Sequence, residues 1–288
     1  MIVSAIKPLR GICTALFVSA FFNTSAFADP IDYVALGDSY ASGVGELGLS
    51  YNQSCPQTDK GYPTLLAGEL GAAGLEINFG FQACGGARTL VSGAFDTGIG
   101  VPSVYEGQLQ ALSADTDLVT LTIGGNDVGF IWLVLDCLIS YGQSACANEL
   151  NTSQGKIAND LPAMLDTLFS AISESAPNAA VIVTGYARPF KANGSYWCWN
   201  ANLLSRTNQK GLNSVVDNLN YRIATAAYAK GFQFVDPSPY FSGHDICSSS
   251  SYLSHTRNYW PQIGNIAHPT ADGYEFGYMP GIRALLGL

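Results

Sequence analysis

The sequence is poor in basic residues and, after its first 28 residues, in long hydrophobic stretches. It has 13 Lys and Arg against 22 Asp and Glu, a formal net charge of −9. This balance argues against binding of nucleic acid or anionic membrane surfaces through bulk charge. Nothing beyond the first 28 residues approaches the about 18 uninterrupted apolar residues of a membrane helix. We therefore expect no nucleic-acid partner and no stable membrane insertion.

Histidine is also scarce, and the cysteines lack metal-binding spacing. The three histidines, His244, His255 and His268, are dispersed along the chain, and no two cysteines form a C-x-x-C pair. Structural zinc sites are built from such closely spaced ligands. We therefore expect no metal ion and no cofactor.

Residues 1–28 have the features of a secretory signal. Lys7 and Arg10 precede an apolar run that is too short to span a bilayer, and Ala26-Phe27-Ala28 fits a cleavage site. Removal of this segment leaves 11 Lys and Arg against 22 Asp and Glu, a net charge of −11. We expect a secreted protein whose mature chain, residues 29–288, forms one domain.

Cysteine content supports secretion. Of the seven cysteines, Cys13 lies in the signal and six remain. An even number in a secreted chain indicates disulfides, but six cysteines allow about 15 pairings from sequence alone.

One glycine pattern is similar to a dinucleotide site. Gly43, Gly45 and Gly48 match G-x-G-x-x-G, and Glu69 follows about 20 residues later. In such a site the glycines come directly after a strand and open a helix, whereas here the segment 37–42 intervenes. A secreted protein with disulfides also rarely meets NAD. A dinucleotide enzyme is therefore the least favoured hypothesis, and it would require that the protein retain a cofactor on purification.

Hydrophobic periodicity predicts alternating strands and helices. The predicted strands are Tyr33–Leu36, Leu75–Phe81, Leu118–Ile123, Ala180–Thr184 and Phe232–Val235. The predicted helices are Tyr62–Leu70, Val128–Leu138, Ser153–Ala176, Ser205–Lys230 and a last one that ends near Leu286, with Cys137 and Cys146 in a loop between the second and third. This order indicates an α/β fold with a mostly parallel sheet covered on both faces. The long irregular segment Asp236–Gly264 is typical of a functional loop.

Short turns that contain glycine follow three of the predicted strands. They are Gly37-Asp38-Ser39, the glycine turn Ala83–Arg88, and Gly124-Gly125-Asn126-Asp127. Such turns hold groups that meet a ligand in α/β proteins, but each also fits a plain strand-ending turn with local hydrogen bonds. A serine needs a base to become a nucleophile, so a histidine must join any catalytic site.

Four of these features occur in the order of the blocks of one enzyme family. Gly37-Asp-Ser39, Gly86, Gly124-x-Asn126-Asp127 and His268-Pro269 resemble the blocks of the SGNH hydrolases, also called GDSL esterases and lipases. The resemblance runs from Tyr33 to the C-terminus and is strongest to the secreted, three-disulfide lipases and esterases of the Streptomyces type. It implies a three-layer α/β/α sandwich with a five-stranded, mostly parallel, flavodoxin-like sheet.

The resemblance also implies a role for each matching residue. Ser39 would be the nucleophile and His268 the general base. The oxyanion would accept hydrogen bonds from the backbone N–H groups of Ser39 and Gly86 and from the side-chain amide of Asn126. Each role suits its residue, because glycine permits a close backbone approach and asparagine offers N–H donors without negative charge.

One position departs from the family. The family commonly has Asp three residues before the histidine, where this chain has Asn265. Some similar enzymes orient the ring with a backbone carbonyl, so we predict a Ser–His dyad with a carbonyl at or near Asn265 as acceptor. Asn265 equally fits a residue that only begins the loop into the last helix, and Asp245 and Asp272 are other candidate acids. Tyr40 replaces the usual Leu of the first block.

The same resemblance implies the disulfides Cys55–Cys84, Cys137–Cys146 and Cys198–Cys247. The first would connect the loop after Ser39 to the Gly86 turn. The resulting rigidity would preorganise the oxyanion site.

The leading hypothesis is a secreted, monomeric serine hydrolase that cleaves carboxylic esters of small molecules or lipids. A carbohydrate O-acetyl esterase on the same fold is the alternative, and a non-catalytic secreted binding module is a third. Six aromatic residues precede His268 and could line an acyl pocket, stack on sugar rings or belong to the core: Trp197, Trp199, Tyr240, Phe241, Tyr252 and Trp260.

Overall fold

A computed structural model describes residues 29–45, 55–91, 93–94, 100–101, 103–138, 143–201, 204–255 and 266–288. The expected signal segment, residues 1–28, lies outside these ranges. So do Gly48, Trp260 and Asn265.

Seven strands and seven α-helices are present in the described part of the chain. The strands are β1 (Ile31–Gly37), β2 (Ile77–Phe81), β3 (Gly93–Ala94), β4 (Gly100–Val101), β5 (Leu118–Thr122), β6 (Ala180–Thr184) and β7 (Gln233–Val235). The helices are α1 (Ser39–Ser42), α2 (Tyr62–Ala72), α3 (Phe130–Leu138), α4 (Gln143–Asn159), α5 (Leu161–Ser175), α6 (Arg206–Ala229) and α7 (Met279–Leu286). Short 3₁₀ turns occur at Gln108–Ala111, Trp199–Ala201 and Ser238–Phe241, and a π-helical segment at Gly273–Tyr278 precedes α7.

The main sheet has five parallel strands in the order β2-β1-β5-β6-β7. The short strands β3 and β4 form a separate antiparallel pair. The strand order reverses between β1 and β5, which is the switch point where a doubly wound sheet opens a crevice at the carboxyl ends of its strands. The turns after β1 and β5 carry Ser39 and Asn126, so the fold brings these two residues to that crevice.

The burial of the strands explains why their sequences are nearly continuous apolar runs. All five residues of β5 are buried, as expected for a parallel sheet covered on both faces. One outer layer contains α2, the π-helical segment and α7, which contact one another; the other contains α3, α4, α5 and α6. The chain is therefore the three-layer α/β/α sandwich that the resemblance implied.

One helix prediction was wrong. Helix α4 begins at Gln143 rather than at Ser153, and a separate helix, α5, starts at Leu161. Cys137 and Cys146 consequently lie within helices α3 and α4 and not in a loop. The inward positions of α4 have helical spacing, but they include the small residues Cys146 and Ser153, which give little hydrophobic signal.

The end of the chain forms the expected helical segment, but a π-helical stretch precedes its α-helical part. Gly273–Tyr278 adopts π-helical hydrogen bonding before α7 ends at Leu286. Among the described helices, none combines the length and apolar character needed to cross a bilayer.

Candidate active site

Ser39 occupies the first turn after β1. Gly37 has φ +131°, and a Cβ there would lie 2.5 Å from the Thr122 carbonyl oxygen, so only glycine fits between the two strand ends. Asp38 caps α1, and its Oδ1 accepts the Tyr40 N–H at 3.0 Å. The turn therefore presents Ser39, which is 8 % exposed, at the carboxyl edge of the sheet.

A glutamine that the sequence analysis missed holds this turn. The Gly37 N–H donates to Gln108 Oε1 at 2.7 Å, and Gln108 Nε2 donates to the Gly37 carbonyl at 2.9 Å. One side-chain amide thus satisfies both backbone groups of one residue. Gln108 lies in a short 3₁₀ turn, and no motif distinguishes it in the sequence.

Ser39 and His268 are hydrogen-bonded although 229 positions separate them. His268 Nε2 lies 2.6 Å from Ser39 Oγ, and His268 Nδ1 lies 3.2 Å from the Ile266 carbonyl oxygen. Because a carbonyl can only accept, Nδ1 carries the proton that it shares with Ile266. In the neutral ring Nε2 is then an acceptor, which is the tautomer that can take the Ser39 proton.

The segment before His268 is fixed by backbone contacts. Ala267 has φ +66°, a left-handed conformation that is uncommon for a non-glycine residue. Its carbonyl accepts the Tyr40 hydroxyl at 2.5 Å, and its N–H donates to the Ser254 carbonyl at 2.9 Å. Tyr40, at the position where the family usually has Leu, therefore connects the nucleophile turn directly to the histidine turn.

The two candidate acids have other surroundings. Asp245 is buried and accepts the Cys247 N–H at 2.9 Å. Asp272 is exposed. A predicted acceptor, Asn265, lies outside the described residues, and the carbonyl seen beside the ring belongs to the next residue, Ile266.

The Gly86 turn and the Asn126 turn are bound to each other. Asn126 Nδ2 donates to the Ala87 carbonyl at 2.9 Å. Asp127 accepts the Thr89 N–H, at 3.1 Å from each carboxylate oxygen, and the Thr89 hydroxyl at 2.8 Å. Gly86 has φ +87°, which requires glycine. The two turns therefore move as one unit.

Free donors remain at this edge of the sheet. Among the described residues, none accepts a hydrogen bond from the N–H of Ser39 or of Gly86. Asn126 keeps a second amide hydrogen and lines the same pocket as Ser39 and His268. Unpaired N–H groups beside a nucleophile are what an oxyanion needs.

Asp38 is a buried carboxyl that also connects the turn after β1 to Tyr186, which follows β6. It accepts a hydrogen bond from the Tyr186 hydroxyl, which in turn accepts the Gly125 N–H at 2.8 Å. Burial raises the pKa of Asp38 to about 7, although the hydrogen bonds from Tyr186 and Tyr40 act in the opposite direction. Burial and the neighbouring Asp38 charge raise the pKa of Tyr186 well above its ordinary value, so this residue stays a phenol.

The pocket is lined by residues that follow β1, β5 and β6 and by two residues of the histidine turn. They are Asp38, Ser39, Tyr40, Gly125, Asn126, Phe130, Tyr186, Ile266 and His268. Its apolar wall therefore comes from Tyr40, Phe130, Tyr186 and Ile266. This wall differs from the six aromatic residues that the sequence analysis considered.

Five of those six aromatic residues are described, and none of these five lines the pocket. Trp197 and Trp199 are largely exposed, Tyr240 is partly exposed, Tyr252 is half-buried and Phe241 is buried in the core. The remaining one, Trp260, lies outside the described residues.

The structure contains the disulfides Cys55–Cys84, Cys137–Cys146 and Cys198–Cys247, with Cα–Cα distances of 4.7, 4.5 and 4.8 Å. These are the pairs that the resemblance implied. Beside the first one, the Gly85 N–H donates to the Pro56 carbonyl at 2.8 Å. The disulfide thus adjoins the Gly86 turn.

The glycine pattern has a structural explanation other than nucleotide binding. A Cβ at Gly45 would clash with the carbonyl of Pro269, directly after His268, and Gly43 caps α1 with φ +82°. Gly45 thus allows the chain to pass close to the histidine turn, and Gly43 allows it to pass close to Thr58 and Gly61. In the described ranges, no cluster of three or more His, Cys, Asp or Glu side chains could hold a metal ion.

Comparisons with known proteins agree with this geometry. Residues 35–276 match the model of the GDSL-like lipase/acylhydrolase family. Lipase 1 of Streptomyces coelicolor is 41% identical over 249 residues, which cover 86% of this chain and 84% of that protein. The crystal structure of an extracellular lipase from Streptomyces rimosus superposes with a TM-score of 0.74 at 38% identity, covering 88% of this chain and 99% of that one. A phospholipase A1 from Streptomyces albidoflavus gives the same TM-score and coverage at 35% identity.

Proposed function

The chain belongs to the GDSL-like lipase/acylhydrolase family and is a carboxylic ester hydrolase, and we propose that Ser39 is its nucleophile and His268 its general base. The observation that carries this assignment is the 2.6 Å contact between Ser39 Oγ and His268 Nε2. The accepting atom of a base must lie within about 2.6–3.2 Å of the heavy atom whose proton it removes. Ile266, whose carbonyl holds Nδ1–H, keeps Nε2 free to accept it.

The reaction proceeds in two acyl transfers. His268 Nε2 takes the Ser39 proton while Oγ bonds to the ester carbonyl carbon, and the imidazolium then gives that proton to the departing alkoxide. A water molecule, deprotonated by His268, attacks the acyl-Ser39 ester in the second step, and Oγ leaves with the returned proton. The dipole of the Ile266 carbonyl, which accepts Nδ1–H, stabilises the imidazolium.

Negative charge on the former carbonyl oxygen is stabilised by three donors. They are the N–H groups of Ser39 and Gly86 and the amide of Asn126. Two observations support this assignment: neither N–H group donates to another of the described residues, and Asn126 contacts the Gly86 turn. One such donor contributes about 2.7–4 kcal/mol to transition-state stabilisation.

We propose that the substrates are lipid esters. The relatives described above are named lipases and a phospholipase A1, and the pocket wall of Tyr40, Phe130, Tyr186 and Ile266 suits an acyl chain. A carbohydrate O-acetyl esterase is favoured less, because Trp197 and Trp199 do not line this pocket. A non-catalytic binding module is inconsistent with membership in this enzyme family.

The protein is proposed to act outside the cell as a monomer with one hydrolase domain, residues 29–288. Three disulfides are typical of a secreted protein. One of the relatives is described as extracellular. On this proposal, residues 1–28 are the signal that is removed.

Hydrolysis of p-nitrophenyl esters from acetyl to palmitoyl tests the assignment. We expect Ser39→Ala to remove activity on every ester, while the parent enzyme retains activity on chains of eight or more carbons. Activity confined to acetyl esters would favour the O-acetyl esterase. Activity retained by a folded Ser39→Ala protein would exclude Ser39 as the nucleophile.

A further inference from the structure

Three aromatic side chains project from the loop between β6 and α6. Tyr196, Trp197 and Trp199, which we call the aromatic loop, are 76%, 74% and 61% exposed. Single exposed apolar residues are ordinary, but large aromatic groups close together mark a surface that binds something. The proposed chemistry at Ser39 does not use them.

The aromatic loop is held rigidly in this outward position. Cys198, between the two tryptophans, is buried and bonded to Cys247. Asn200 Nδ2 donates to the Ile246 carbonyl at 2.8 Å. The Arg206 guanidinium lies 4.2 Å from the centre of the Tyr196 ring. Binding through preformed aromatic groups loses little conformational entropy.

Side-chain amides of α6 hold the whole segment that leads to this loop. Each of three amides bonds to both the N–H and the carbonyl of one backbone residue, at 2.7–3.1 Å. The pairs are Asn220 with Tyr186, Asn213 with Phe190 and Gln209 with Ser195. The segment therefore runs along α6 towards the start of that helix.

This arrangement sets the direction in which the aromatic loop projects. Tyr186 lines the active-site pocket at the carboxyl end of β6. Its partner Asn220 and the loop's partner Gln209 are 11 positions apart on α6, which corresponds to about 16 Å along the helix axis. The aromatic loop thus extends beyond the carboxyl edge of the sheet, on the same side as Ser39.

The charge near the aromatic loop differs from that of the rest of the chain. The sequence from 187 to 216 contains two Arg and two Lys and no Asp or Glu, although the chain carries 22 acidic residues. Lys191 and Lys210 are exposed. The next acid, Asp217, is paired with Arg188 at 2.5 Å. Phosphate-bearing headgroups can approach this region without the repulsion that the acidic remainder would impose.

We propose that the aromatic loop docks the enzyme on a zwitterionic phospholipid–water interface, with the pocket on the docked side. Tyrosine and tryptophan favour that environment because one part of each side chain is apolar and another polar. The Arg206 guanidinium covers one face of Tyr196, which closes that face to stacking on a sugar ring. The proposal rests on the lipid-ester function given above.

Vesicle binding tests the docking separately from catalysis. The mature Ser39→Ala protein, which would leave the lipid intact, is sedimented with phosphatidylcholine vesicles. We expect Trp197→Ser/Trp199→Ser in this background to weaken binding at least tenfold. The control is Tyr221→Ser/Tyr228→Ser, which removes two aromatics of similar exposure, 65% and 61%, from the other half of α6. This control should change binding less than twofold.

Parallel assays on the Ser39 enzyme separate the two proposals. Both double variants should hydrolyse soluble p-nitrophenyl butyrate like the parent. If the parent hydrolyses this ester but does not bind the vesicles, or if both double variants bind equally, the docking proposal is wrong and the hydrolase proposal stands. If the Trp197→Ser/Trp199→Ser variant loses binding to insoluble acetylated xylan while its binding to vesicles is unchanged, the docking proposal is also wrong.

Discussion

The hydroxyl of Tyr186 donates a hydrogen bond to the carboxylate of Asp38, the residue directly before Ser39. The same hydroxyl accepts the N–H of Gly125, the residue directly before Asn126. A single phenol after β6 therefore connects the nucleophile turn after β1 to the turn after β5. This connection fixes the distance between the two sides of the proposed oxyanion site.

Tyr186→Phe should lower kcat about tenfold with little change in KM. The change leaves the aromatic ring in the pocket wall but leaves the buried Gly125 N–H without its acceptor, at a cost of about 1–3 kcal/mol. Tyr33→Phe is the matched control, because Tyr33 is equally buried and its hydroxyl bonds only to Thr120 among the contacts described, at 2.8 Å, away from the pocket. Steady-state kinetics on p-nitrophenyl butyrate measures the difference. Equal kcat values in the two variants would contradict a positioning role for Tyr186.

Stability should fall as the pH rises from 4 to 8 because of Asp38. Its pKa is about 7 in the folded protein, against an ordinary value of 3.8 that applies to the unfolded chain. The folded state therefore holds this proton more tightly, and the stabilisation present below pH 4 is lost as the pH passes 7. A shift of this size corresponds to at most roughly 4 kcal/mol.

Asp38→Asn provides the comparison, since an amide has no proton to lose between pH 4 and 8 and its oxygen can still accept the Tyr40 N–H. Urea unfolding of both proteins between pH 4 and 8 gives the two slopes. We expect the free energy of unfolding of Asp38→Asn to rise relative to the parent as the pH increases. Parallel curves would show that Asp38 has an unshifted pKa.

Gln108→Ala should both destabilise the protein and lower kcat. The substitution removes the acceptor of the Gly37 N–H and one of the donors to the Gly37 carbonyl, which also accepts the Cys84 N–H at 3.0 Å. A buried donor left unpaired costs about 1–3 kcal/mol. Gln110→Ala is the control, because its amide bonds to the Glu106 carbonyl at an exposed position in the same 3₁₀ turn. Thermal unfolding and kcat are measured for both. An unchanged kcat in Gln108→Ala would mean that the amide only stabilises the fold.

The disulfides should differ in their effect on catalysis. Replacing either Cys55–Cys84 or Cys137–Cys146 by serine pairs should reduce stability by about 2–4 kcal/mol, since each closes a loop in the unfolded chain. Only the first adjoins the Gly86 turn, so only its loss should lower kcat, by tenfold or more at a temperature where both variants are folded. A similar loss of kcat in the Cys137–Cys146 variant would argue against a specific bracing role.

Much of the site followed from short local patterns. Each of the three strand-end turns contains glycine, and two of them add a small polar residue. The strand alternation predicted that parallel strands end at a common edge. Ser39 and Asn126 were therefore found from sequence. The acceptor for His268 was predicted only as a carbonyl near Asn265, because nothing in the residue types distinguishes one backbone carbonyl from the next.

The amide pairs were not predictable. In the sequence, Gln108, Asn213 and Asn220 look like ordinary polar residues. Helical spacing does not show which face of α6 carries Asn213 and Asn220. Their role depends on which nearby backbone N–H and carbonyl groups need a side-chain partner. The exposure of Trp197 and Trp199 was equally hidden, because aromatic residues in a loop fit a pocket, a core and a surface.

The sequence by itself determined the α/β order, the side chains that we propose as reactive and the family. These depend on local periodicity and on residue types that few other sites require. Only the tertiary structure decided which carbonyl orients His268, that Tyr186 joins Asp38 to Gly125, and that the aromatic loop projects beside the pocket. Such relationships involve residues far apart in the chain, and their geometry is set by the packing of helices on the sheet, which no local pattern encodes.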